Sequence, residues 1–158
     1  MKCCVIGHRE ILNKDDIKKR VENTVKKLIT ENGVNVFLFG SNSEFNKLCY
    51  EVVSEIKKVI PRINRVFVRA EYPNVNKAYI DSLNKLYEDS YYYDQDKEYS
   101  GRCSYINRNY HIIDSADYCL FYCNLEYTPK TKTKSGTILA YKYALRKNKK
   151  IINVFIDN

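Results

Sequence analysis

The sequence predicts an α/β protein: a three-layer α/β/α Rossmann-like sandwich around a mainly parallel sheet of about five strands. Three observations carry this. Short, almost wholly apolar runs recur along the chain, longer amphipathic patterns of helical spacing alternate with them, and glycine followed by polar residues stands directly after the first two runs. A nearly continuous apolar run suits a strand covered on both faces. Repetition of strand, helix and strand requires crossover connections, which lay helices on both faces of a parallel sheet.

Taken in order, the strand candidates are CCVIG (3–7), VNVFLFG (34–40), RVFVRA (65–70), YCLFYC (118–123) and IINVFI (151–156). Between the first two, Ile17, Val21, Val25, Leu28 and Ile29 recur at helical spacing, with Asn13 as the expected N-cap and Gly33 as the stop. A stronger stripe follows: Phe45, Leu48, Cys49, Val52, Val53, Ile56 and Ile60, capped by Ser43 and closed by Pro61. The third crossover is long. It holds a helix near Val75 to Tyr87, a polar tyrosine-rich insertion at about 88–101, and a second helix near Cys103 to Ser115. A last helix, about Ser135 to Arg146, leads into the final strand.

The bulk numbers fit one domain spanning 1–158, with 44% apolar residues to build a core. No run of about 18 apolar residues or secretory signal pattern is present, so the expectation is a soluble cytoplasmic protein with no membrane partner. Six cysteines form no CxxC and sit mostly inside apolar runs, which reads as buried reduced thiols; only Cys103, beside Arg102, is placed to react. Neither a metal site nor a bound cofactor is expected. The net charge of +8, from 27 Lys and Arg against 19 Asp and Glu, favours anionic partners without selecting one.

In a doubly wound sheet, ligands bind beyond the carboxyl ends of the strands, where strand order reverses. Gly7, His8 and Arg9 leave the first strand there; Gly40, Ser41 and Asn42 leave the second, Arg69 and Glu71 the third, and Asn124 the fourth. The turn FGSNSEF (39–45) joins a strand to a helix start, a natural phosphate seat, with Glu44 at its edge. It has one glycine where a dinucleotide fingerprint has three, and a purely structural turn explains it equally. Ser135, Gly136 and Thr137 open the last helix after a lysine-rich loop and form a second seat, though a plain N-cap accounts for either hydroxyl. Arg108 and Asn109 lie mid-helix opposite Ile106, Tyr110 and Ile113, where a solvated polar face competes with an arginine reaching into the cleft. His8 either orients its loop or acts on a ligand. His111 reads as a helix-surface residue.

The ordered set Gly-His-Arg, GSNSEFNKLCYEVV, RNYHIIDSAD and SGTILAYKYA resembles the SLOG superfamily, most of all its small bacterial YpsA-like branch, over roughly residues 3 to 155. The resemblance implies a Rossmann-like fold holding a nucleotide or nucleotide-derived ligand between two glycine-containing loops. SLOG proteins include the LOG phosphoribohydrolases, the DNA-binding DprA proteins, and sensors of signalling nucleotides in anti-phage defence. Gly40 and Ser41 stand where two glycines are usual, Asn46 replaces a common aspartate, Arg108 and Asn109 match an Arg-Asn pair, and Ser135, Gly136 and Thr137 replace Gly-Gly-Thr. Ala140 stands where LOG hydrolases carry a glutamate, which disfavours hydrolysis by that route.

The expected function is therefore capture of a nucleotide or nucleotide-derived signal without turnover, as a sensor or a sequestering protein. The alternatives are a nucleoside 5′-monophosphate N-glycoside hydrolase using Glu44 or Glu71, and single-stranded DNA binding in the manner of DprA. Nucleic acid is disfavoured as a partner, because the tyrosine-rich insertion carries acids that repel phosphate. That insertion is instead the expected interface of a possible homodimer.

Overall fold

The computed structural model describes residues 1–70, 76–93, 101–127 and 135–155. Eleven elements follow one another: β1 (Lys2–Gly7), α1 (Lys14–Thr30), β2 (Val36–Phe39), α2 (Glu44–Val59), β3 (Asn64–Arg69), α3 (Lys77–Leu86), β4 (Asp89–Tyr92), α4 (Gly101–Asp114), β5 (Tyr118–Tyr122), α5 (Gly136–Arg146) and β6 (Lys150–Asn153). The strands form one sheet in the order β4-β3-β2-β1-β5-β6. Every neighbouring pair is parallel.

The sheet has six strands rather than about five, because the tyrosine-rich insertion begins with an edge strand, β4. Glu88 anchors it: its carboxylate takes the backbone N–H of Arg65 at 2.6 Å and the Arg65 guanidinium through Nη2 at 2.6 Å and Nε at 3.2 Å. Residues 94–100, the remainder of that insertion, lie outside the described residues, as does Glu71.

Alternate residues of each strand enter two cores. Cys3, Val5, Phe37, Phe39 and Phe67 meet the apolar stripes of α1, α2 and α3. Cys4, Ile6, Leu38, Val66 and Val68 meet Ile112 and Ile113 of α4 and Ala140 and Ala144 of α5. All six cysteines are free thiols, five buried and Cys103 exposed. Burial pushes the Cys123 thiol up to about 12, so it stays protonated at neutral pH.

Local signals explain most boundaries. The Ser43 hydroxyl accepts from Asn46 N–H and caps α2 as expected. Asn13 precedes α1 in the left-handed region at φ 52° and makes no side-chain cap, so it turns the chain instead of capping it. Gly33, at φ +66°, reverses the chain after α1. Among the described residues, no helix is long and apolar enough to cross a membrane.

Candidate functional site

The chain winds outward from β1 in both directions, so strand order reverses between β1 and β5, and the crevice lies beyond their carboxyl ends. Gly7 closes β1 beside Tyr122, the last residue of β5. His8 bridges the two strands: its backbone N–H donates to Tyr122 O at 3.2 Å, and its ring Nε2 accepts from Asn124 N–H at 3.0 Å. The same Nε2 lies 3.3 Å from Asn124 O, so the Asn124 backbone meets this nitrogen with both its N–H and its carbonyl: the shorter contact uses a lone pair on Nε2 and the longer one a proton there. Burial lowers the His8 pKa, and its contact with the Asn124 backbone only partly opposes that shift. Tyr127 packs on the ring at 4.4 Å between centroids, a residue that sequence reasoning left out of the site because no periodicity marks it. Arg9 is exposed, and its guanidinium forms no ion pair with a described residue.

The β2–α2 turn is close to the rim but largely occupied. Asn46, 3% exposed, accepts from the N–H groups of Gly40 at 3.4 Å and Ser41 at 3.3 Å, and its Nδ2 donates to Val5 O at 3.3 Å. Asn46 N–H goes to Ser43 Oγ at 3.2 Å, Ser43 N–H to Ser41 Oγ at 3.4 Å, and Glu44 N–H to Arg9 O at 2.9 Å. A phosphate seated here would compete with those bonds. Asn42 is exposed on the turn. The Glu44 carboxylate accepts from Ile11 N–H at 2.9 Å, which ties the β1–α1 loop to the first turn of α2.

Neither early glycine of the rim is open toward a ligand. A methyl group on Gly7 would stand 2.4 Å from the Phe45 ring, and one on Gly40 would stand 2.7 Å from Arg108 Nη1. Arg108 is 3% exposed, not solvated: its Nη1 donates to Val68 O at 3.2 Å and its Nε to Asn109 Oδ1 at 3.1 Å. The core side of α4 therefore runs through Ser104, Arg108, Ile112 and Ile113. Tyr110 turns toward α5 and stacks on Tyr143 at 4.0 Å. The Ser104 hydroxyl donates to Ala70 O and seals the end of β3. Arg69 is half-buried there, with its Nε enclosed and without a hydrogen-bond partner among the described residues. His111 is not a free surface residue, since its Nε2 lies 3.4 Å from the Tyr91 hydroxyl.

The start of α5 differs from that of α2. Ser135 caps it by accepting from Ile138 N–H at 3.4 Å, while the N–H groups of Gly136 and Thr137 have no partner among the described residues. A methyl on Gly136 would meet nothing within 4 Å. Ala140 is fully buried against the sheet. The lysine-rich loop at 128–134 lies outside the described residues. Among the described residues, no cluster of His, Cys, Asp and Glu is arranged for a metal ion.

A half-open cleft of about 300 Å³ lies elsewhere, lined by Lys2, Val36, Asn64, Val66, Asp89 and Tyr91 among others. Those residues mark the amino-terminal ends of the strands, so this concavity is remote from the rim.

The six-stranded parallel sheet with helices on both faces and its crevice beyond β1 and β5 define a Rossmann-like α/β protein. The chain belongs to the YpsA family: the model described as the YspA SLOG family matches residues 8–158. No curated protein matches the sequence. Among solved structures, DNA processing protein A from Helicobacter pylori, studied for its single-stranded DNA binding mode, is similar at a TM-score of 0.58 and 16% identity. The likeness covers 96% of this chain and 63% of that one, so this chain spans less than two thirds of its neighbour. At that identity the likeness concerns the fold.

Proposed function

We propose that this protein binds a nucleotide or nucleotide-derived signalling ligand at the carboxyl rim without turning it over, as a sensor or a sequestering protein. In the proposed site, His8, Arg9, Asn42, Arg69, Asn109, Ser135, Gly136 and Thr137 stand toward the ligand, with Gly7, Gly40, Ser41, Glu44 and Arg108 as the filled or bonded support behind them. The observation that carries the reading is the contrast between the two helix starts: the amides before α2 are largely occupied, and those of Gly136 and Thr137 are open. An open helix start with its positive dipole end suits a phosphate group. His8, held toward its neutral form by burial, adds a polar ring without charge, and its Nδ1 makes no hydrogen bond with a described residue. Ala140, packed in the core, supplies no carboxylate for glycosidic-bond chemistry.

A thermal-shift screen against mono-, di- and cyclic nucleotides and ADP-ribose tests this. A ligand at about 100 times its Kd adds ~2.7 kcal/mol, a rise of about 5–11 °C at 2–4 °C per kcal/mol for this size. Release of free base from a nucleoside monophosphate refutes binding without turnover and favours the hydrolase reading, with Glu44 or Glu71 as its carboxylate.

A second reading is single-stranded DNA binding, favoured by the net charge of +8 and by a fold neighbour with that activity. These two facts weaken the expectation that nucleic acid is no partner. Oligonucleotide affinity that falls steeply between 50 and 200 mM salt, without a mononucleotide shift, decides for it.

A further inference from the structure

We infer that Arg108 serves the proposed ligand site as a positioning residue, fastening the end of β3 beneath the β2–α2 turn and turning the Asn109 amide so that its Nδ2 hydrogens, not the guanidinium, meet the ligand. The inference rests on the reading of the rim as a nucleotide site and assigns roles within it.

Arg108 is 3% exposed, and the end of its side chain sits where a side chain on Gly40 would otherwise be, with Nη1, Cζ and Cδ 2.7–2.8 Å from the methyl position. One arm, Nη1, holds Val68 O of β3 at 3.2 Å. Its Nε, which can only donate, points at Asn109 at 3.1 Å, and only the amide oxygen can receive it. That fixes the amide: Oδ1 turns inward and Nδ2 turns away. Asn109 is half-buried, and its Nδ2 has no partner among the described residues. The neighbouring helix α5, whose open first turn is the proposed phosphate seat, packs against α4. An arginine so enclosed lacks the freedom to form the bidentate phosphate pair that an exposed one makes. Its effect on a ligand passes through Asn109 and through the strand ends it joins.

Two measurements decide the matter. In the ligand-free protein, the Arg108 Nε–H signal in a ¹⁵N–¹H spectrum, assigned by its loss in Arg108→Lys, exchanges slowly with water, and Asn109→Ala speeds that exchange by about tenfold. An Nε–H that exchanges as fast as that of Arg9 overturns the inference whether or not any ligand binds. With AMP as the probe, Asn109→Ala and Arg108→Lys each weaken binding by about tenfold, and the double variant is no weaker than either, because the two act as one unit. Additive losses mean that the two side chains act independently, and retained AMP affinity in Arg108→Lys means that the Nε bond to Asn109 is not needed; either refutes the positioning role. If the wild-type protein takes neither AMP nor any other nucleotide, the functional reading fails while the exchange measurement still judges Arg108.

Discussion

Replacing Gly7 by alanine places a methyl group 2.4 Å from Phe45 Cδ1, 2.5 Å from Cγ and 2.6 Å from Cβ. Carbon atoms in contact sit about 3.5–4.0 Å apart, so the ring must retreat by about 1 Å. It has no room to do so. Phe45 is fully buried, stacks on Tyr122 at 5.6 Å, and its Cβ is carried by the first turn of α2. That turn is held in turn by the Ser43 cap and by the bond from Glu44 N–H to Arg9 O. A rotamer change cannot relieve a clash that includes Cβ, so the backbone must shift. The loss should reach the upper part of the overpacking range, about 3 kcal/mol, which lowers Tm by about 6–12 °C. Urea unfolding followed by circular dichroism measures it, with an unchanged m value showing that the folded state itself is destabilised. Gly136→Ala is the control, because a methyl there meets nothing within 4 Å; its effect should stay within about 0.5 kcal/mol. A Gly7→Ala protein melting within about 2 °C of the wild type refutes the packing argument.

Gly40→Ala meets Arg108 Nη1, Cζ and Cδ at 2.7–2.8 Å, atoms that a side-chain rotation can displace at the cost of their bonds, whereas Phe45 Cβ is fixed to its backbone, so stability should fall by only about 1–2 kcal/mol, while nucleotide affinity falls about tenfold as Arg108 is displaced; calorimetric titration and thermal melts separate the two. For Glu88, burial alone would raise the carboxyl pKa, but hydrogen bonds and charge from Arg65, with Lys57 adding to them, bring it below its ordinary 4.5. The pair therefore stabilises the fold above pH 4.5 and loses that contribution as pH falls through the lowered value. Glu88→Gln should cost about 1 kcal/mol at pH 7, and the difference should vanish in acid, as urea midpoints across pH report. Burial holds the His8 pKa below 6.5, so its neutral form favours folding above that pH and the contribution is lost as pH falls through the folded value. His8→Gln should flatten the stability profile on the acid side of pH 6.5, and a profile identical to the wild type counts against the buried neutral ring.

Five strands were legible because each is a continuous apolar run, and α2 because its stripe is long and capped. β4 was not, because an edge strand of sequence DSYY buries only Tyr92 fully and is held by the Arg65–Glu88 pair, which no local pattern announces. The face of α4 was misread for a related reason. Its core side carries Ser104 and Arg108, whose polar ends bond to strand-end carbonyls 34 and 40 residues away in the chain. At the rim, the sequence marked the loops after β1 and β2 and the start of α5. It could not reveal that Asn46 already occupies the amides of Gly40 and Ser41, since that depends on how far one side chain reaches across a turn.

The two glycines at the ends of β1 and β2 are empty places filled from opposite layers, one by a phenyl ring and the other by a guanidinium. The crevice thus has a welded wall and an unlatched one. Substitutions that retune what the crevice accepts can accumulate along the unlatched side, at Gly136 and Thr137, without loosening the sheet. On the welded side, the same chemical change would be felt first as lost stability.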